Sequence, residues 1–142
     1  MPTNTAAMST DTAAMSTDIA TLVTDYIQAV GDHRFEALPA LFHPDIDFGG
    51  PGLRPCHGAP DVIAALQRLT PILIRNDIKH ILVQGDEACV IYDFVTDTPV
   101  GPVPSVEWLR FDHDRIRACE LTFDHGRWPE VLQVLQARAA KS

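Results

Sequence analysis

Two acidic side chains interrupt apolar rows in the most regular stretch of this chain, and carboxylates so placed can do proton chemistry. The run ACVIYDFVT, residues 88–96, alternates, so Cys89, Ile91, Asp93 and Val95 share one face and Val90, Tyr92 and Phe94 the other. The run VPSVEWLRF, residues 103–111, sets Val103, Ser105, Glu107, Leu109 and Phe111 against Val106, Trp108 and Arg110. A carboxylate on a buried face is costly unless it is paired, hydrogen-bonded or neutral. Asp93 and Glu107 are therefore read as facing one pocket. There, repulsion and desolvation would leave one as acid and the other as base. The reverse orientation puts Tyr92, Phe94 and Trp108 inside, with the acids in solvent or paired with Arg110 or Arg117. Leu109 and Phe111 beside Glu107 argue against it for the second run.

Tyr26 sits on an apolar helical stripe, where its hydroxyl serves equally as a pocket donor or at the rim of the core. His57, in a loop after Pro55 and Cys56, is either a pocket acid–base group or a solvated histidine. His80, between Ile78 and Leu82 on one strand face, is a further pocket residue. Ile91, Val95, Leu109, Leu121 and Phe123 supply the expected apolar lining. His33, His43, His113 and His125 sit beside turns and read as surface or capping residues. No HExxH or CxxC spacing occurs, so no metal is expected. There is no GxSxG elbow, and Cys56 and His57 are neighbours on an extended segment, which point apart. GxGxxG and P-loop patterns are also missing, so no cofactor is expected.

These residues need elements to hold them. Ile19, Leu22, Val23, Tyr26, Ile27 and Val30 form one continuous helical stripe, closed by Gly31 and Asp32. A second helical stretch spans Arg34 to Phe42, with Pro39 forcing a late start or a kink. A short strand is expected at Ile46–Phe48, followed by turn glycines. Pro60 opens a third helix, with Val62, Ile63, Leu66 and Leu69 inward. Strands then follow at 78–84, 88–96, 103–111 and 116–123, the last placing Cys119, Leu121 and Phe123 on one face. A closing helix follows Pro129. This order predicts an α+β fold, a strongly curved antiparallel sheet wrapped around the N-terminal helices with a cone-shaped space between.

With 142 residues the chain is long enough for one domain with a proper core. A net charge of −8, with no run of Lys or Arg longer than two, argues against nucleic acid as a partner. No apolar run approaches the ~18 residues of a membrane span, so no membrane partner is expected. The three cysteines make no disulfide framework, and no secretory signal is visible, so a cytoplasmic location is expected. Residues 1–17 carry a direct repeat, TAAMSTD, twice over. They read as a mobile tail from a slipped duplication or an upstream start, with the domain proper over 18–138. Ser16, Thr17 or Asp18 would cap the first helix.

The segments YIQAV at 26–30, ALFHPD at 40–45, the turn from Pro51 to Gly58, EWLRF at 107–111, Arg115-Ile116 and Phe123-Asp124 resemble the nuclear transport factor 2-like (NTF2-like) superfamily. That superfamily includes SnoaL-like polyketide cyclases, ketosteroid isomerases and limonene-epoxide hydrolases. The likeness spans about residues 18 to 135. It implies that Tyr26 and Glu107 take the places of the isomerase's tyrosine and protonated acid, the oxyanion hole. The isomerase's base falls on Gly50. Of the hydrolase's set, one aspartate falls on Asp93, its arginine on Ile91 and its second aspartate on Leu121.

Two functions follow from these readings. The first is a small cofactor-independent enzyme doing acid–base chemistry (isomerisation, cyclisation, dehydration or hydrolysis) on an apolar small molecule. Asp93, Glu107 and Tyr26 would be its catalytic groups. The second is a non-catalytic binding or dimerisation module. With the acids inward, Val90, Tyr92, Phe94, Val106 and Trp108 would form an apolar outer face that pairs two copies into a homodimer.

Overall fold

The structure, a computed structural model, describes residues 19–141. The tail expected over 1–17 and the capping residues Ser16 to Asp18 lie outside these. Helix α1 covers residues 19–31 and buries Ile19, Val23, Tyr26, Ile27 and Val30, the stripe its spacing predicts. A 3-10 turn, Phe35–Ala37, runs into the one-turn helix α2, Leu38–Leu41. Pro39 lies in the first turn of α2, where its missing N–H costs nothing, so the second helix starts late rather than kinking.

Strand β1 (Phe42–Gly49) is longer than expected, because His43 precedes Pro44 and is pushed toward extended backbone. A two-residue strand, β2 (Cys56–His57), pairs antiparallel with it and leads into α3 (Ala59–Gln67). The meander follows as β3 (Leu73–Gln84), β4 (Glu87–Thr96), β5 (Pro102–Asp112) and β6 (Arg115–Phe123), and helix α4 (Trp128–Lys141) closes the chain.

The six strands make one curved, open sheet in the order β2-β1-β6-β5-β4-β3. β1 runs parallel to β6, so the sheet is mixed rather than wholly antiparallel. The α+β class and the helix-covered concave side are as the sequence predicts.

Burial alternates strictly along β5, with Val103, Ser105, Glu107, Leu109 and Phe111 inward. Val90 pairs with Glu107 and Tyr92 with Ser105, so Ala88, Val90, Tyr92 and Phe94 share that inward side. The β3 register shifts between Ile78 and His80. One extra residue there moves every later side chain to the opposite face. Ile78 stays packed on the core, His80 is turned to solvent, and Ile81 and Val83 resume the inward row.

Among the described residues, polar contacts hold α1 and the turn that follows it on the sheet. Asn76 Nδ2 donates to the Ile27 carbonyl at 2.9 Å, and His33 Nε2 donates to the Leu73 carbonyl at 2.8 Å. Another is the hydrogen bond from Tyr26 described below. At Gly31 the helix end lies so close to β3 that an added Cβ would sit 2.6 Å from the Asn76 backbone nitrogen. Gly31→Ala should therefore destabilise the fold by about 1–3 kcal/mol, through forced separation of helix and strand. Urea denaturation monitored by far-UV circular dichroism measures this, and an unchanged midpoint would show that the helix end is not held there.

Candidate functional site

Glu107 is drawn inside by its neighbours on β5, since Leu109 and Phe111 on the same row need the core. Only 2% of the residue is exposed. Two hydroxyls meet its carboxyl. Tyr26 Oη donates to Oε1 at 2.7 Å and Tyr92 Oη donates to Oε2 at 2.6 Å. One donor comes from the helix and the other from the adjacent strand, so the group joins both layers of the fold.

Burial pushes the Glu107 pKa above the ordinary 4.5, and the two tyrosine hydrogen bonds oppose that rise without cancelling it. Tyr26 and Tyr92 are both held well above their ordinary 10.0, by burial first and by the Glu107 charge second. The buried Cys119 thiol lies against the same group, and it too is raised by burial and then by Glu107.

Beside this cluster is an apolar cavity of about 170 Å³. Phe48, Leu66, Phe94, Leu121, Phe123 and Trp128 form much of its wall, with Tyr92 and Ser105 on one side and Arg54 on another. Trp128, at the start of α4, packs edge-on against Phe94 and Phe123, with ring centroids 6.2 and 4.9 Å apart. Among the described residues, no carboxylate or imidazole lines this cavity.

Asp93 is not there, which corrects the expected orientation of β4. It lies on the outer side of the sheet, with Oδ2 3.3 Å from Lys79 Nζ and Oδ1 buried without a hydrogen-bond partner among the described residues. Both faces of β4 are apolar, so its alternation alone fits either orientation. The pairing of Val90 with Glu107 selects the one that buries Tyr92. Ile91 shares the outer side with Asp93 and is 36% exposed. The expected outer patch of Val90, Tyr92 and Phe94 is corrected with it, because all three are buried. The outer apolar row is instead Leu82, Ile91, Val106 and Trp108.

Of the other expected lining residues, Leu121 and Phe123 reach the cavity. Leu109 is buried in the core, and Val95 is buried without lining the cavity. His80 faces solvent because of the β3 bulge. His57 is exposed at a separate outer groove of about 380 Å³, where its Nδ1 donates to Asp47 Oδ1 at 2.6 Å. That bond, with help from Arg117, keeps the Asp47 carboxyl below its ordinary pKa. The sequence reading missed Tyr92, Ser105 and Trp128 as cavity residues. A tyrosine between Val90 and Phe94, an apolar ring with one polar tip, was the available signal for the first.

The SnoaL-like domain family matches residues 23–119. Among solved structures, a protein from Kribbella flavida DSM 17836 is similar at 22% identity and a TM-score of 0.70, over 84% of this chain and 95% of that one. A steroid delta-isomerase from Pseudomonas aeruginosa is similar at 20% identity and a TM-score of 0.69, over 87% and 93%. A de novo designed protein with a curved β-sheet is as similar, at 15% identity and a TM-score of 0.70, over 84% and 96%. An isomerase and a designed protein match equally well, so the likeness carries fold and not activity. Among curated proteins, none matches the chain in sequence. No helix among the described residues is long and apolar enough to cross a membrane.

The raised Glu107 pKa has a thermodynamic consequence. A carboxyl that binds its proton more tightly folded than unfolded stabilises the native state below the unfolded value. That contribution is lost as pH rises through the folded one. Glu107→Gln, neutral at every pH, should melt below the native protein near pH 4.5 and close the gap as pH rises. Paired thermal melts across that range measure it, and a gap that widens with pH would mean Glu107 is ionised in the fold.

Proposed function

The chain belongs to the SnoaL-like domain family, and from that premise we propose that it takes a small apolar molecule into the cavity and polarises one of its oxygens through Tyr92. The observation that carries this reading is the Tyr26–Glu107–Tyr92 chain of hydrogen bonds, with Tyr92 in the cavity wall. Two tyrosine donors suit an ionised carboxylate; with Glu107 neutral one of those two contacts reverses, and its single O–H is donated to a tyrosine oxygen. The tyrosine that receives it can turn its own hydroxyl elsewhere. Tyr92 and Ser105 both line the cavity, so a ligand oxygen reaching the Tyr92 hydroxyl from there would be its acceptor. A donor fixed in an apolar site stabilises negative charge growing on a substrate oxygen far better than water does. Isomerisation, ring closure, dehydration and hydrolysis all use such an acid half. Tyr26 anchors the far side of Glu107 and keeps it aimed at Tyr92.

A second reading is a binding module without catalysis. It is favoured by the lack of any carboxylate or imidazole among the cavity's described lining residues, with Asp93 on the outer side and Leu121 in the wall. The two readings separate with one apolar ketone. Acetophenone bound in the cavity should show a carbonyl stretch lowered in frequency, and Tyr92→Phe should abolish that lowering. Deuterium exchange at its α-carbon, faster than in Glu107→Gln, selects the enzyme; no acceleration selects the module. An unshifted carbonyl in the bound ketone would remove Tyr92 as the donor.

The assembly we propose is a homodimer in the cytoplasm, a setting in keeping with three unpaired cysteines. Its interface is the outer sheet row, where Leu82 is 54% and Trp108 45% exposed beside Ile91 and Val106. Trp108→Glu places a like charge on both sides of a two-fold contact and should yield monomers in sedimentation velocity. A native chain that is already monomeric at tens of micromolar would contradict this.

A further inference from the structure

The cavity's size and its one charged wall residue narrow the class of ligand. About 170 Å³ is close to the roughly 150 Å³ of an engineered apolar cavity that binds benzene. It is room for one six-membered ring with short substituents and far too little for four fused rings. Four aromatic side chains besides Tyr92 surround that space, Phe48, Phe94, Phe123 and Trp128, which suits a flat ring.

Among the described residues, Arg54 is the one ionised side chain in the wall. Its side chain is 70% exposed, so it stands where the cavity opens to water. Its only ion pair among the described residues is a loose contact of Nη2 with Asp61 Oδ1 at 3.7 Å. Asp61 is held separately by the His57 backbone N–H, which donates to its Oδ2 at 3.2 Å. A guanidinium carries five donors in a flat fork that matches a carboxylate, and this one has donors to spare. The polar features of the cavity are thus a cation at the opening and neutral hydroxyls, Tyr92 and Ser105, in the wall.

We infer that the ligand is a single-ring compound bearing a carboxylate on a short arm, its ring among the aromatic side chains and its carboxylate on Arg54. This rests on the cavity being a binding site, as proposed above, and adds Arg54 as the residue that selects charge and the cavity's volume as what selects size. It sets the domain apart from any reading in which the shared fold implies a steroid-sized substrate.

Trp128 provides the readout. In a Trp108→Phe background it is the remaining tryptophan, and its emission reports whether the cavity is filled. Hydrocinnamate should bind saturably and about tenfold more tightly than hydrocinnamyl alcohol, the difference expected of one partly exposed charge-assisted contact. Arg54→Gln should bring the acid down to the level of the alcohol and leave the alcohol unchanged. Cholate, a carboxylate on four fused rings, should not bind. Equal affinity for acid and alcohol, an Arg54→Gln protein that still prefers the acid, or tight binding of cholate each overturns the assignment while leaving the cavity as a binding site. Failure of all three compounds to bind overturns both.

Discussion

A carboxyl group sits in the interior with a helix hydroxyl on one oxygen and a strand hydroxyl on the other, and the architecture around it depends on that arrangement. Putting an ionised carboxylate there would cost several kcal/mol. A neutral carboxyl with two hydroxyl partners avoids most of that cost, and burial holds Glu107 toward the neutral form. The group is directional where the surrounding core is not. Apolar packing of Val23, Ile27, Leu109 and Ile116 would tolerate some sliding of α1 over the sheet, whereas the 2.7 Å hydrogen bond between Tyr26 and Glu107, a group itself held by Tyr92 at 2.6 Å, fixes its position.

That fixed position shapes the rest of the site. With Tyr92 turned to Glu107, its ring becomes part of the cavity wall, and β5 presents Ser105 and Val103 beside it. Helix α4 covers another side by packing Trp128 on Phe94 and Phe123. It is tied down farther along by Arg138, whose Nη1 donates to the Pro71 carbonyl at 3.0 Å and to Asp97 Oδ2 at 3.1 Å. What results is a small, mostly apolar space with hydroxyls in its wall and a cation at its opening. Polarity inside and apolarity outside are linked through the pleat. The same alternation that buries Glu107 on β5 leaves Val106 and Trp108 on the outer side.

The fold was legible because its signals were local. The α1 stripe, Pro60 at the start of α3 and the strict alternation of β5 each point one way, and the structure agrees with them. Glu107 was legible for the same reason, since the apolar residues on its row outnumber any on a competing exposed face. Asp93 was not, because β4 is apolar on both sides and alternation cannot choose between two greasy faces. The deciding fact, Val90 opposite Glu107, is a register between strands, and one residue of slip reverses it. His80 failed through the bulge after Ile78, which breaks the period its assignment relied on. The parallel pairing of β1 with β6 joins residues some seventy positions apart, which no local pattern encodes.

The central claim is that the interior holds Glu107 as a carboxylic acid more tightly than water would. Carbon-detected NMR of the native protein labelled at the glutamate side-chain carboxyls reads this directly, with Glu107→Gln identifying the resonance. That signal should titrate above the ordinary 4.5. Titration at or below 4.5 would mean that the two tyrosines hold an ion, and the neutral acid behind Tyr92 would have to be abandoned.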